Sequence, residues 1–187
     1  SFHVLFFPSW EAGLAAAKQL VQQKVQLSMV RLSNAMETMS LLYIGGIDDA
    51  LMALEARLTE QGIGEGKVMM TFGVTGSKVQ CNAARALALE LCAGHGGIGG
   101  GENNDGADLG AKWAHGRFRA PYLRDPMLEA GYAVDTMETA INWVDVSSTV
   151  ERMEGDIAKA LADEDEQVHV YTHLSHVYGQ GSSIYTT

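Results

Sequence analysis

The side chains of this sequence whose types and spacing invite chemistry are a late group of histidines, two arginines and one tyrosine. His169, His173 and His176 fall within one stretch. On an extended strand His169, Tyr171 and His173 share a face while His176 points to the other. His173 and His176 therefore cannot chelate one metal unless a bulge intervenes. A His169–His173 pair is able to, but no Cys or carboxylate stands at a recognisable ligand spacing nearby. Pocket lining and ordinary hydrogen-bonded histidines are the alternatives. Arg31 alternates with Leu27 and Met29 on a predicted strand, and a charge on an apolar face must be paired or meet a ligand. Glu37 or another acid is the candidate partner. Arg124, in Pro121-Tyr122-Leu123-Arg124-Asp125, reads equally well as an exposed helix charge. Tyr185, beside Ile184 in a terminal strand, is either an amphipathic strand residue or a proton donor.

Gly96, Gly97, Gly99, Gly100 and Gly101 suggest a nucleotide-binding loop at first sight. The dinucleotide fingerprint requires a preceding strand and a helix that starts at the glycines. Here a predicted helix precedes them, and Glu102, Asp105 and Asp108 follow and would repel a phosphate. With no periodicity across 94–110, the stretch reads as a mobile connection.

The elements that must position these groups alternate between strand and helix. Strands are predicted over 3–7, 27–32, 67–74 and 133–141, with a terminal hairpin of 167–176 and 183–187 around the turn at Gly179–Gly181. Ser9 caps a helix carrying Trp10, Leu14, Ala17 and Val21 at helical spacing. Asn34 with Glu37 makes a capping-box-like start for a helix running to about Tyr43. Asp48 opens a helix with Leu51, Leu54 and Leu58, and 77–93 is an Ala/Leu-rich helix stopped by Gly94. Residues 113–127 are mixed and partly helical. Ser148 and Glu151 cap a helix bearing Val150, Met153, Ile157 and Leu161. The order predicts an α+β domain, an antiparallel sheet with helices packed on one face in the ferredoxin-like manner.

Composition narrows the partners. A chain of 187 residues that is 47% apolar can bury a sizeable core. A formal charge of -10 argues against nucleic acid or an anionic membrane as the main partner, though not against a small anionic substrate. Cys81 and Cys92 lie about 16 Å apart along one predicted helix, too far for a disulfide. They read as buried thiols of a reducing compartment, and the expected location is cytoplasmic. Phe2–Phe7 is too short for a secretory signal, and no apolar run approaches the roughly 20 residues of a membrane span.

Four segments, taken in order, carry a family resemblance. They are Ser28-Met29-Val30-Arg31-Leu32-Ser33-Asn34, Arg119-Ala120-Pro121-Tyr122-Leu123-Arg124-Asp125, Asp135-Thr136-Met137-Glu138-Thr139-Ala140 with Trp143, and His173-Leu174-Ser175-His176-Val177-Tyr178 with Gly181-Ser182-Ser183-Ile184-Tyr185. Their order and spacing resemble the C-terminal domain of FAD-linked oxidases of the vanillyl-alcohol-oxidase superfamily, in the alkyl-dihydroxyacetonephosphate synthase-like branch, over essentially the whole of 1–187. The resemblance implies a substrate-binding cap domain over FAD, with the cofactor held mainly by an FAD-binding domain of the same protein that is absent here. The chain then reads as a fragment, inactive alone, and a homodimer is an open alternative. The resemblance further implies that Arg31 and Arg124 contact an anionic, carboxylate- or phosphate-bearing substrate and that Tyr185 is the catalytic acid or base; His173 and His176, on the residue reading, are the polar lining of that substrate site.

The metal-dependent D-lactate- and glycolate-type dehydrogenases carry histidines around a Gly-Asp-Gly-Asn turn. Here Gly179-Gln180-Gly181-Ser182 occupies that place, with Tyr185 where the second histidine is expected, so no metal is predicted. Such a dehydrogenase, or a non-enzymatic ferredoxin-like ligand-binding module, is the alternative reading.

Overall fold

A computed structural model describes residues 1–101 and 104–187. Glu102, one of the acids expected to repel a phosphate, lies outside the described residues. The chain runs β1 (Phe2–Phe7), α1 (Trp10–Gln22), β2 (Met29–Ser33), α2 (Ala35–Ile44), α3 (Asp49–Glu60), β3 (Val68–Gly73), α4 (Lys78–Ala93), β4 (Ile98–Gly99), α5 (Ala107–Gly116), a 3-10 turn (Ala120–Leu123), α6 (Arg124–Glu129), β5 (Met137–Asn142), α7 (Val146–Ala162), β6 (Thr172–Val177) and β7 (Gly181–Thr186). Seven strands form one sheet in the order β4-β1-β3-β2-β6-β7-β5, and every pairing is antiparallel. The first four strands and α1 and α4 make the expected ferredoxin-like unit. The terminal hairpin extends the same sheet through the β2–β6 pairing, with β5 on its outer edge.

Alternation along the strands divides the sheet into two faces. Leu5 and Phe7 of β1, Leu32 of β2, Met70 of β3, Leu174 of β6 and Ile184 of β7 point to one side, where they form the main core with α1, α4 and α7. This is the helix layer that the sequence predicts. Gly13 explains how closely α1 approaches: a Cβ there would stand 2.8 Å from both Leu32 and Val68. A second, smaller layer lies on the opposite face, where Val4, Phe6 and Met69 pack against Leu54 and Leu58 of α3 and Leu109 of α5.

Three local readings change. The stretch 94–110 is not an aperiodic connection throughout, because β4 pairs with β1 and α5 begins at Ala107. Its glycines serve close packing: a Cβ at Gly110 would lie 2.0 Å from the Phe2 carbonyl. Helix α7 begins at Val146 with Asp145 as its N-cap residue; Ser148 is no cap and donates its hydroxyl to the Asp145 carbonyl. The capping box at α2 is half formed. Asn34 Oδ1 accepts from the Glu37 amide at 2.9 Å, but the Glu37 carboxylate turns away toward the sheet.

Candidate functional site

The side chains singled out from the sequence meet where the ferredoxin-like unit joins the terminal hairpin. Register places Ser33 opposite His173, His173 opposite Tyr185, and Tyr185 opposite Glu138. These residues form a cross-strand row on the face away from α1, α4 and α7. Arg31 is two residues from Ser33 on β2, so it projects from that face beside the row. Directly opposed side chains on one face sit close enough to interact, and here they do. The His173 and Tyr185 rings stack at 4.9 Å between centroids, 28° from parallel.

Glu37 enters from above. The Asn34 cap fixes the first turn of α2, and that turn delivers the carboxylate onto β2 and β6. Glu37 Oε1 accepts from Arg31 Nη2 at 2.6 Å and lies 3.0 Å from His173 Nδ1. The third side of the triangle, Arg31 Nη2 to His173 Nδ1, is 3.1 Å. Glu37 and His173 are buried, whereas a quarter of the Arg31 side chain stays exposed. Burial alone would raise the Glu37 pKa, but the hydrogen bond to His173 and the Arg31 charge outweigh it and hold the carboxyl below its ordinary value. Glu37 Oε2, Arg31 Nε, Ser33 Oγ and Thr71 Oγ1 are buried without a hydrogen-bond partner among the described residues. Unpaired buried polar atoms are uncommon and call for an explanation. Tyr171, just before β6, shares the face of His173. Burial, and then the Glu37 charge, push its phenol pKa up.

At the other end of the row Glu138 accepts from Ser183 at 2.6 Å and Ser175 at 3.1 Å. These two hydroxyls hold its carboxyl below the ordinary range, so it is ionised at neutral pH. His176 is brought here by a bulge. Leu174 pairs with Ile184 and Val177 with Ser182, so one residue of β7 faces two of β6. Simple alternation sends His176 to the far face; the bulge instead places its Nδ1 3.8 Å from Glu138 Oε1. His169 bonds Ser40 Oγ of α2 at 2.8 Å. Among the described residues, no three His, Cys, Asp or Glu side chains converge in a way that would hold a metal.

The structure thus brings Arg31, His173 and Tyr185 together and sets His176 at the rim. Arg124 stands apart, exposed at the start of α6. From the sequence Glu37 stands only as one candidate partner for Arg31, and Glu138, Ser175 and Ser183 carry no signal of their own. Cross-strand register was the missing signal, since these residues lie far apart in sequence.

A flavin cofactor fits this chain only in part. The glycines that might have cradled a pyrophosphate are filled by the chain itself: a Cβ at Gly97 would meet Phe7, and one at Gly100 would meet Leu109.

A family model described as "FAD linked oxidases, C-terminal domain" matches residues 1–187. Among curated proteins, the chain is 19% identical over 191 residues to an alkyldihydroxyacetonephosphate synthase of Dictyostelium discoideum, covering 98% of this chain and 30% of that protein. It is 22% identical over 189 residues to the enzyme of that name from Trypanosoma brucei brucei, covering 97% and 30%. Two solved structures of alkyldihydroxyacetonephosphate synthase superpose with TM-scores of 0.81 and 0.84 at 19% identity, each covering 99% of this chain and 35% and 34% of theirs. The chain therefore spans about a third of the length of the relatives it matches. Among the described residues, no helix is long and apolar enough to cross a membrane.

Proposed function

Since the chain belongs to the C-terminal domain family of the FAD-linked oxidases, we propose that it is the substrate-side cap of a flavoenzyme that acts on a small carboxylate- or phosphate-bearing substrate. An FAD-binding domain of the same protein would hold most of the cofactor. The observation that carries this reading is the row itself: a partly exposed guanidinium, a buried imidazole and a half-exposed phenol on one sheet face at cross-strand spacing.

Flavin, when bound, supplies the electron chemistry. This chain's residues bind, orient and move a proton. Arg31 offers a charge and one free nitrogen to a carboxylate or phosphate: its two described hydrogen-bond contacts both use Nη2 and Nε is buried, which leaves Nη1 for the anion. The Tyr185 hydroxyl gives or takes the proton at the reacting carbon, and the stacked His173 ring fixes the phenol plane. His176 lines the rim. Arg124 is a second anion contact in this reading, and its exposure leaves its whole fork available.

The test is Tyr185→Phe in the flavin-loaded full-length protein. The ring and its stacking remain while the hydroxyl goes, so melting temperature and flavin content should hold and the rate should fall by roughly 10²–10⁴. Normal turnover in that variant would end the assignment. Titration of the flavin absorbance with dihydroxyacetone phosphate and with D-lactate separates a phosphate-bearing substrate from a D-lactate- or glycolate-type one.

A further inference from the structure

The Arg31–Glu37–His173 triangle contains more than an ion pair. A salt bridge whose only task is to neutralise Arg31 needs one contact. Glu37 instead offers a single oxygen to two groups, and its other oxygen is buried with the Ser33 hydroxyl as a further stabilising neighbour. It also forgoes the reciprocal bond to its own helix cap. Burying a carboxylate costs free energy that one ion pair often fails to recover, so the arrangement calls for a role beyond packing.

The geometry supplies one. His173 Nδ1 has two neighbours with opposite demands. Bare, it accepts from Arg31 Nη2; protonated, it donates to Glu37 Oε1. Arg31 Nη2 already donates to Glu37 Oε1 over the shorter distance, 2.6 Å. The ionised carboxylate is the charged acceptor of the triangle, and it favours the arrangement in which both neighbours donate to it. The proton then sits on Nδ1 and His173 Nε2 is left as an acceptor. The same carboxylate fixes which Arg31 nitrogen is occupied and which is free.

We propose that Glu37 is the positioning residue of this site: one buried carboxylate oxygen holds Arg31 for the substrate anion and sets His173 in the tautomer whose Nε2 accepts a proton. The inference rests on the proposed function, because it assigns Glu37 an effect through Arg31 and His173 and no contact with substrate. It joins anion binding and proton handling through a helix that contributes no other group to the triangle.

The experiment uses the flavin-loaded full-length protein with Glu37→Gln and Arg31→Lys, singly and combined. Dihydroxyacetone phosphate and D-lactate are the binding probes, read by flavin absorbance. Glu37→Gln keeps the shape and removes the charge. Its melting temperature should fall by no more than the stabilisation that the ionised carboxylate contributes, while the Kd of the probe that binds rises about tenfold to a hundredfold, the range for loss of a charged hydrogen bond. In the Arg31→Lys background the same change should add little, because the group it positions is gone. Should Glu37→Gln fail to fold, Glu37→Asp applies the same test: the charge stays but is drawn back by one methylene, and Kd should still rise. A lowered melting temperature with an unchanged Kd in the variant that folds overturns the inference, as does full additivity of the two substitutions. If the unaltered protein binds neither probe and Tyr185→Phe turns over normally, the proposed function itself fails. If the unaltered protein binds a probe and Tyr185→Phe loses turnover, while the Glu37 variants behave as the unaltered protein does, the positioning role alone is lost.

Discussion

Two ends of one sheet face follow the same pleat and have opposite fates. At the β1–β3 end, the positions pointing away from α1 and α4 are Val4, Phe6 and Met69, and α3 and α5 cover them. At the β6–β7–β5 end, the corresponding positions hold His173, Tyr185 and Glu138, and Glu138 is exposed while Tyr185 is half-exposed. Helix α2 crosses the boundary and sends Glu37 down to Arg31 and His173. Apolar side chains at the first end recruit a helical layer because covering them removes apolar area from water. Polar ones at the second end gain nothing comparable from a helix, so the surface stays open for something that meets hydrogen-bonding groups. Alternation decides which face a residue takes, whereas residue chemistry decides whether that face is covered.

The widest separation of the two ends should come from Phe6→Ala. Phe6 is fully buried in the covered end, and truncating a buried Phe costs about 3–5 kcal/mol. Denaturant unfolding should show that loss, while turnover per folded molecule stays near normal. If activity per folded molecule collapsed with stability, the two ends would be one cooperative unit and the comparison would break.

Acid should separate the two ends by pH, with an effect next in size. Near the covered end His3 is buried, stacks on Phe72 and donates Nδ1–H to the Asp105 carbonyl at 2.8 Å. Burial lowers its pKa from the ordinary 6.5. The unfolded chain therefore takes up the proton first. The His3 contribution is complete above that ordinary value and is lost as pH falls toward the lowered one. Glu37 has a depressed carboxyl, ordinarily at 4.5. Its contribution is complete above that pH and is lost as pH falls through the folded value. Unfolding free energy measured against pH should therefore fall in two stages. Glu37→Gln should shrink the lower stage, to which the depressed Glu11 and Glu138 carboxyls also contribute, and leave the upper stage in place; parallel acid curves for the unaltered protein and the variant would show that Glu37 is not held ionised by its neighbours.

Much of this was legible from the sequence, and the losses have physical causes. Period-two patterning located β1, β2, β3 and the β6–β7 hairpin because each buries at least one apolar face. Arg31 was flagged by a rule about charges on apolar faces, and its partner is Glu37. His176 was misplaced because a bulge shifts the side-chain alternation and leaves no composition signature here. The stretch 94–110 was read as a connection because its glycines mark close backbone approach to β1, and in a sequence that looks the same as slack. Helix α7 starts before the serine taken for its cap, because hydroxyls within a first turn bond backward as readily as they cap. Glu138 is silent in the sequence because an exposed strand carboxylate resembles any solvated charge until register places it opposite Tyr185.

The smallest expected effect belongs to Arg124, and it tests whether the open end extends beyond the row. Arg124 begins α6 in the exposed segment after α5, apart from Arg31, His173 and Tyr185. Arg124→Lys keeps the charge and removes the fork. An exposed side chain of this kind contributes little to folding, so stability should stay within about 0.5 kcal/mol. If Arg124 is a second anion contact in the full-length enzyme, losing a planar two-point contact while keeping the charge should raise KM severalfold, with kcat little changed. Arg31→Lys should raise it more, since that change also breaks the triangle with Glu37 and His173. Equal KM values for Arg124→Lys and the unaltered enzyme would make Arg124 a solvated charge. The open end would then consist of the cross-strand row and its Glu37 support, and the anion would have one anchor in this chain.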